Sequence, residues 1–374
     1  LSVVPGFSSS RGGPEIRAVT RIRPAASIGG VGPLLQRVLR AVVLCASVPV
    51  AALAQSSAPV SIDDFLRTTV GIGAGEIAAA RQGRAATKLL HTDLSRDVAV
   101  FGIVGIHVSR EAYNAHLRDV PSLIAARAQN FGILGDPVQP SEMRGVFFDG
   151  SEWGDLKSCS VNDCNFKLPR SAMQQFAQAV DWNSDNARAQ VDSLMRSDMQ
   201  ALVAAYRVRG NAAMLRYDDT RGVEASDAFS ALLGESRFLH DYAPTFRDYL
   251  LNYPSDRPDS VLDVMYWSMD KIPHLRSTFT LNQMIVYTPS SGPALIARKQ
   301  IYADHYFEAV LEVSAVFDAP DLAGGPGVYL VSVRRYRFDS LPGGILNIRG
   351  RVRSQLQKRM QVDLERERKK VEGG

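Results

Sequence analysis

From position 301 the odd residues read Ile301, Ala303, His305, Phe307, Ala309, Leu311, Val313, Ala315 and Phe317, apolar but for one, while the even positions between them are mixed. Successive strand side chains point to opposite faces, so alternation this long predicts a single curved β-strand, spanning 294–317, with one dry face. Such a strand needs neighbours for its backbone and a cover for its apolar side. The last third supplies both. Residues 260–269, 278–287 and 328–338 are rich in Val, Ile, Tyr and Phe and separated by Pro/Gly turns such as Pro289-Ser-Ser-Gly292-Pro293, which predicts antiparallel pairing. The cover is a final helix from Ile345 to about Val371, in which Ile348, Val352, Leu356, Met360 and Leu364 form a four-residue row.

Upstream, 84–91 and 97–108 read as strands, the second carrying Val98, Val100, Val104, Ile106 and Val108 on one face, and a helix opens at Ser109 and ends near Pro121. Residues 132–154 read as loop. The stretch 169–252 is helical, its longest helix running from Ser184 or Asp185 to Arg209 with Val191, Met195, Met199, Leu202 and Tyr206 at helical spacing. A methionine-bearing stripe of this kind is packing material. Gly71-Ile-Gly73-Ala-Gly75 lacks the last glycine of a dinucleotide loop, because Glu76 stands there, and follows helical rather than strand signals. It is read as a turn between short helices.

The first 54 residues do not read as fold. Arg37 and Arg40 precede an apolar stretch, 41–50, and Ala51-Ala52-Leu53-Ala54 offers a small-residue cleavage site before Gln55, the layout of a secretory signal. The Arg-, Pro-, Gly- and Ser-rich 1–32 reads as a disordered leader. This segment holds six Arg and one Glu, so of the 43 Lys+Arg and 39 Asp+Glu in the whole chain, 37 and 38 lie beyond it. The formal charge after cleavage is −1, which leaves no whole-molecule field for nucleic acid. Of three cysteines, Cys45 lies within the cleaved segment. Cys159 and Cys164, either side of Ser-Val-Asn-Asp, read as one disulfide around a turn in an oxidising compartment, periplasmic or secreted.

No catalytic or metal motif emerges. Gly150-Ser-Glu-Trp-Gly154 misplaces its serine for a nucleophile elbow, the six histidines at 91, 107, 116, 240, 274 and 305 are scattered, and Asp218-Asp219 reads as a turn. Two readings compete for His305: a buried neutral histidine bonded to a neighbouring segment, or the polar anchor of a mostly apolar ligand pocket. In the second reading Ile301 and Phe307 line the pocket beside it. On the next strand Val328, Leu330, Tyr336 and Phe338 share one face with Arg334, so Tyr336 adds wall and Arg334 a cation for an anionic headgroup.

An antiparallel sheet with one long curved strand, closed by a long C-terminal helix, resembles the helix-grip fold of the START-like superfamily over about 84–364, with 169–252 as a large helical insertion. Lys299-Gln-Ile-Tyr-Ala-Asp-His-Tyr-Phe307, Arg335-Tyr-Arg337 with Asp339, and Cys159-x4-Cys164 also resemble a group of uncharacterised exported bacterial proteins. The superfamily resemblance implies a cavity between sheet and final helix that binds lipids, sterols, quinones or polyketides. The sequence therefore predicts an exported α+β protein: a leader and signal over 1–54, and one START-like domain over 55–374. It would bind an apolar small molecule, with neither cofactor nor catalysis. Two alternatives stay open. The terminal stretch 334–374 carries 12 basic and 5 acidic side chains, enough for its helix to contact anionic membrane or a protein partner; and His305 could serve a hydrolase of unfamiliar type.

Overall fold

The computed structural model describes residues 62–128, 130–146, 152–270, 276–340 and 348–373. The leader, the signal segment and its cleavage site lie outside these residues.

Eight of the strands build one sheet, in the order β1-β2-β10-β9-β8-β7-β6-β3. They are β1 (Ala86–Leu90), β2 (Asp97–Ile106), β3 (Phe131–Leu134), β6 (Val261–Asp270), β7 (Thr278–Tyr287), β8 (Ala294–Ala303), β9 (Phe307–Ala319) and β10 (Gly327–Phe338); β4 (Arg216–Tyr217) and β5 (Val223–Glu224) form a separate small ribbon. Every pairing in the sheet is antiparallel. The short connections predicted for the last third give the meander β6 to β10, and the hairpin β1–β2 adds to its far edge. Residues 132–154, expected as loop, contribute instead the edge strand β3 and the start of a helix.

The helices fall on two sides of the sheet. First in the chain come α1 (Ile62–Asp64), α2 (Ala74–Arg81), α3 (Arg110–Leu117), α4 (Val120–Ala125) and α5 (Trp153–Lys157). Then follow α6 (Arg170–Ala179), α7 (Ala187–Arg209), α8 (Ala225–Gly234), α9 (Arg237–Tyr242), α10 (Pro244–Asn252) and α11 (Ile348–Glu372). One apolar core joins α3, α4 and α11 to Val98, Val100, Val310, Val316, Leu330 and Tyr336. The other joins α2 and α6 to α10 to Phe101, Ile301, Leu311, Val313, Val331 and Val333. The predicted insertion is thus the second cover of the sheet, and the sheet has two dry faces where the sequence suggested one.

The long strand also breaks. Residues 304–306 form a turn, with Tyr306 at φ 60°, so 294–317 is a hairpin of β8 and β9. Two register shifts explain the misleading alternation. Leu281 pairs with Tyr302 and Asn282 with Gln300, which leaves Ile301 as a bulge; Phe338 pairs with Phe307 and Arg337 with Ala309, which leaves Glu308 as another. Each bulge adds a residue and exchanges the faces beyond it. Ile301 and the alternate positions Ala309, Leu311, Val313 and Ala315 therefore face α6–α10, whereas Phe307, Val310 and Glu312 face α11. The apolar side of β9 is turned away from the terminal helix.

Candidate ligand groove beside the terminal helix

Helix α11 follows its predicted row: Val352, Leu356, Met360 and Leu364 are buried. They press so closely on β2 that a Cβ at Gly102 would lie 2.6 Å from Leu364 Cδ1 and 2.8 Å from Met360 Cγ. The expected ligand cavity does not lie here. Among the described residues the layer between sheet and helix holds voids of about 40 and 50 Å3, room for a water or two and far below a ligand's needs.

Charge fills part of this layer. Glu312, on the even side of β9, meets Arg127 beyond α4, accepts from Arg298 Nη1 at 2.9 Å and from the Tyr336 hydroxyl at 3.2 Å, and lies 3.6 Å from Arg334 Nε. Arg298 turns its other nitrogen to Asp270 at 2.7 Å, and Arg334 donates to Asp363 of α11 at 2.7 Å. Three arginines thus alternate with three carboxylates. Burial alone would raise the Glu312 pKa, but Arg334, Arg298 and Arg127 outweigh it and hold the carboxyl well below the usual carboxylate range.

The candidate site residues consequently separate. Arg334, Phe307 and Tyr336 do line one void, the smaller one. Arg334 is nevertheless satisfied by Glu312 and Asp363 and is not presented to a headgroup. Ile301 belongs to the opposite core. His305 sits in the β8–β9 turn, where Nδ1 lies 2.9 Å from the Asn165 carbonyl and Nε2 3.1 Å from Glu152 Oε1. A carbonyl oxygen only accepts, and a carboxylate on the other nitrogen favours donation from both sides. Burial lowers the imidazole pKa, but the Glu152 bond and Asp304 more than offset it, so the net shift is upward. The bonded, structural reading of His305 fits this geometry.

Open space lies beside the helix. Between α4, the end of β6 and α11 runs a groove of about 910 Å3, within the range of small-molecule sites. Its apolar lining comes from Ala125, Ala128, Met269, Leu356 and Val362, and its cations are Arg127, Lys358, Arg359 and Arg366, with Asp270 and Asp363 among them. The local fold builds this wall simply. Pro121 and the Asp119 side chain start α4, and its last carbonyls turn toward α11, where Arg366 donates to Ala126 O at 3.2 Å and Arg359 to Arg127 O at 3.2 Å. Positive groups at a helix C-terminus complement its exposed carbonyls. Val362 stands outside the buried row and is 51% exposed. The sequence analysis passed over Arg127 and Val362 and took Lys358 and Arg366 only as part of the basic terminal stretch; an apolar residue interrupting the basic face of α11 was the available signal.

The two cysteines are joined, with Cα atoms 4.5 Å apart, around the predicted turn in which Asn162 takes φ 68°. Asp218 and Asp219 are also structural: Asp218 accepts from the Arg170 backbone at 2.9 Å, and Asp219 pairs with buried Lys167 at 3.5 Å. Among the described residues no cluster of His, Cys, Asp or Glu is arranged to hold a metal ion, and no helix is long and apolar enough to cross a membrane. Compared with known protein families, with curated proteins and with solved structures, the chain matches none.

Proposed function

We propose that this chain is an exported protein of helix-grip type that binds an anionic amphiphile, a lipid-like molecule with an acidic head, in the groove beside α11. The observation that carries the reading is the groove itself: apolar side chains along its floor, and the exposed Lys358 and Arg366 where a headgroup would rest, with Arg127 and Arg359 engaged beside them. Apolar contact supplies affinity and a few placed charges orient the ligand. The eight-stranded antiparallel sheet crossed by a long terminal helix supports the helix-grip reading. The Cys159–Cys164 bond supports an oxidising compartment such as the periplasm.

Titration with a dansylated undecanoic acid tests this. Saturable binding is expected, with an uncharged alcohol of the same length weaker by about tenfold. Val362→Asp should abolish binding, and Lys358→Glu combined with Arg366→Glu should remove the preference for the acid. Absence of saturation, or acid and alcohol bound equally, overturns the proposal.

Contact with anionic membrane is the second reading, favoured by the exposed Lys358, Arg366, Lys369 and Lys370 on one helix. Flotation with phosphatidylglycerol vesicles, but not with phosphatidylcholine vesicles, would select it. Hydrolysis through His305 finds little support, since both ring nitrogens are engaged and the ring is 3% exposed.

A further inference from the structure

On the opposite side of the sheet, α6 and α7 diverge over a pocket of about 300 Å3. Along α7 it takes Met195, Asp198, Met199, Leu202 and Ala205, spaced three and four apart on one helical face, and along α6 Ala172 and Gln175. This is the stripe that the sequence analysis assigned to packing. Part of it packs and part lines a space.

Two polar groups in this pocket lack partners among the described residues. Tyr302 of β8, placed on this face by the Ile301 bulge, has 0% exposure, and its hydroxyl makes no hydrogen bond with the described residues. A buried hydroxyl left unbonded is costly, so its position asks for a ligand atom or solvent. Asp198 is half-buried and faces the same space without an ion pair. Burial raises its carboxyl pKa with no neighbouring cation to oppose this, and the Asp198 charge acts in turn on the Tyr302 hydroxyl. Arg209, at the rim, remains exposed.

We infer that this pocket is a second ligand site, independent of the groove, and that it takes a small primary amine with an apolar body. The ammonium would pair with Asp198, the Tyr302 hydroxyl would accept a second N–H, and the apolar part would lie against Met195, Met199 and Leu202. An ammonium answers both orphan groups at once, whereas an anion would be repelled by Asp198 and an alcohol would leave the carboxylate without a counter-charge. The pliable methionines suit a family of related amines rather than one shape.

The test is calorimetric titration of the full chain with a series of primary alkyl- and phenylalkyl-amines of graded length, each paired with the alcohol of the same skeleton. The amine of best fit is expected to bind at least about tenfold tighter than its alcohol. Asp198→Asn should erase that difference and leave the fold intact. Tyr302→Phe should weaken the amine about three- to tenfold while raising, or leaving unchanged, the melting temperature of the free protein, because it removes an unbonded buried hydroxyl. A merely structural tyrosine would lower both. Ala205→Trp should block the pocket, and Val362→Asp, in the groove, should leave amine binding unaltered. No saturable binding by any member of the series up to about 5 mM, a concentration that detects even weak sites, overturns the inference; so does an amine preference that survives Asp198→Asn.

Discussion

Glu312 is a single carboxylate beneath the terminal helix, and three arginines depend on it. Replacing it by Gln keeps the shape but leaves Arg127, Arg298 and Arg334 with one counter-charge fewer in a buried layer, and removing one partner of a buried ion pair costs about 3–5 kcal/mol. Urea unfolding of Glu312→Gln should show a midpoint shift of that size; an unchanged midpoint would mean that the network is solvated. Because the folded state holds this carboxyl below its ordinary range, its contribution is present above about pH 4.5 and is lost as the pH falls further. The β8–β9 turn has the opposite sign. Burial pushes Asp304 up to about 7 and the His305 imidazole is raised as well, so the native state holds protons here that the unfolded chain would release. Stability from this turn should therefore decline as the pH rises from about 4 through about 7. The opening free energy of the Phe307 and Asp339 amides, taken from exchange rates corrected for the intrinsic pH dependence, should fall across that interval in the parent chain and less steeply in Asp304→Asn. Composition and spacing disclosed none of this, since both clusters assemble from segments far apart in the chain.

At the scale of elements, α11 was readable because its buried side repeats every four residues and a helix places such positions on one stripe. Its fit to the sheet was not readable, for it depends on Gly102 of β2 standing opposite, while Gly105 makes the same allowance for α2 on the other face. A Cβ at Gly105 would lie 2.6 Å from the Ala80 carbonyl oxygen, and backbone cannot yield as a side chain does. Gly105→Ala is accordingly expected to destabilise by about 1–3 kcal/mol through overpacking, and Met360→Ala by about 2–5 kcal/mol through the cavity it leaves. Calorimetric melting of the two variants checks both, and wild-type stability in either would refute the close packing of the face concerned. The β8–β9 hairpin teaches the reverse lesson. Alternation by itself cannot distinguish a continuous strand from two strands whose bulges restore the same parity, so Ile301 and Phe307, both odd-numbered, came to lie on opposite faces. The assignment of Arg334, Tyr336 and Phe338 to one face survived, because β10 carries no bulge between them.

The whole molecule is a sheet covered twice, and most of its stability resides in two apolar cores rather than in its single short covalent loop. Closing so small a loop contributes about 2 kcal/mol. Cys159→Ser with Cys164→Ser is thus expected to lower the melting temperature by about 2–4 °C and to leave far-ultraviolet circular dichroism unchanged; complete unfolding would show that the bond organises more than its turn. Sequence alone determined the long helices and most of the late strands, that consecutive late strands pair antiparallel, and that the two late cysteines meet, because these follow from periodicity, turn chemistry and short separation. Tertiary structure decided that the insertion roofs the second face, that α11 packs tightly instead of enclosing a cavity, and that the open spaces lie beside α11 and between α6 and α7. Local pattern says which side of an element is apolar, whereas whether two apolar sides meet in contact or stand apart depends on bulges, glycines and charges contributed by distant parts of the chain.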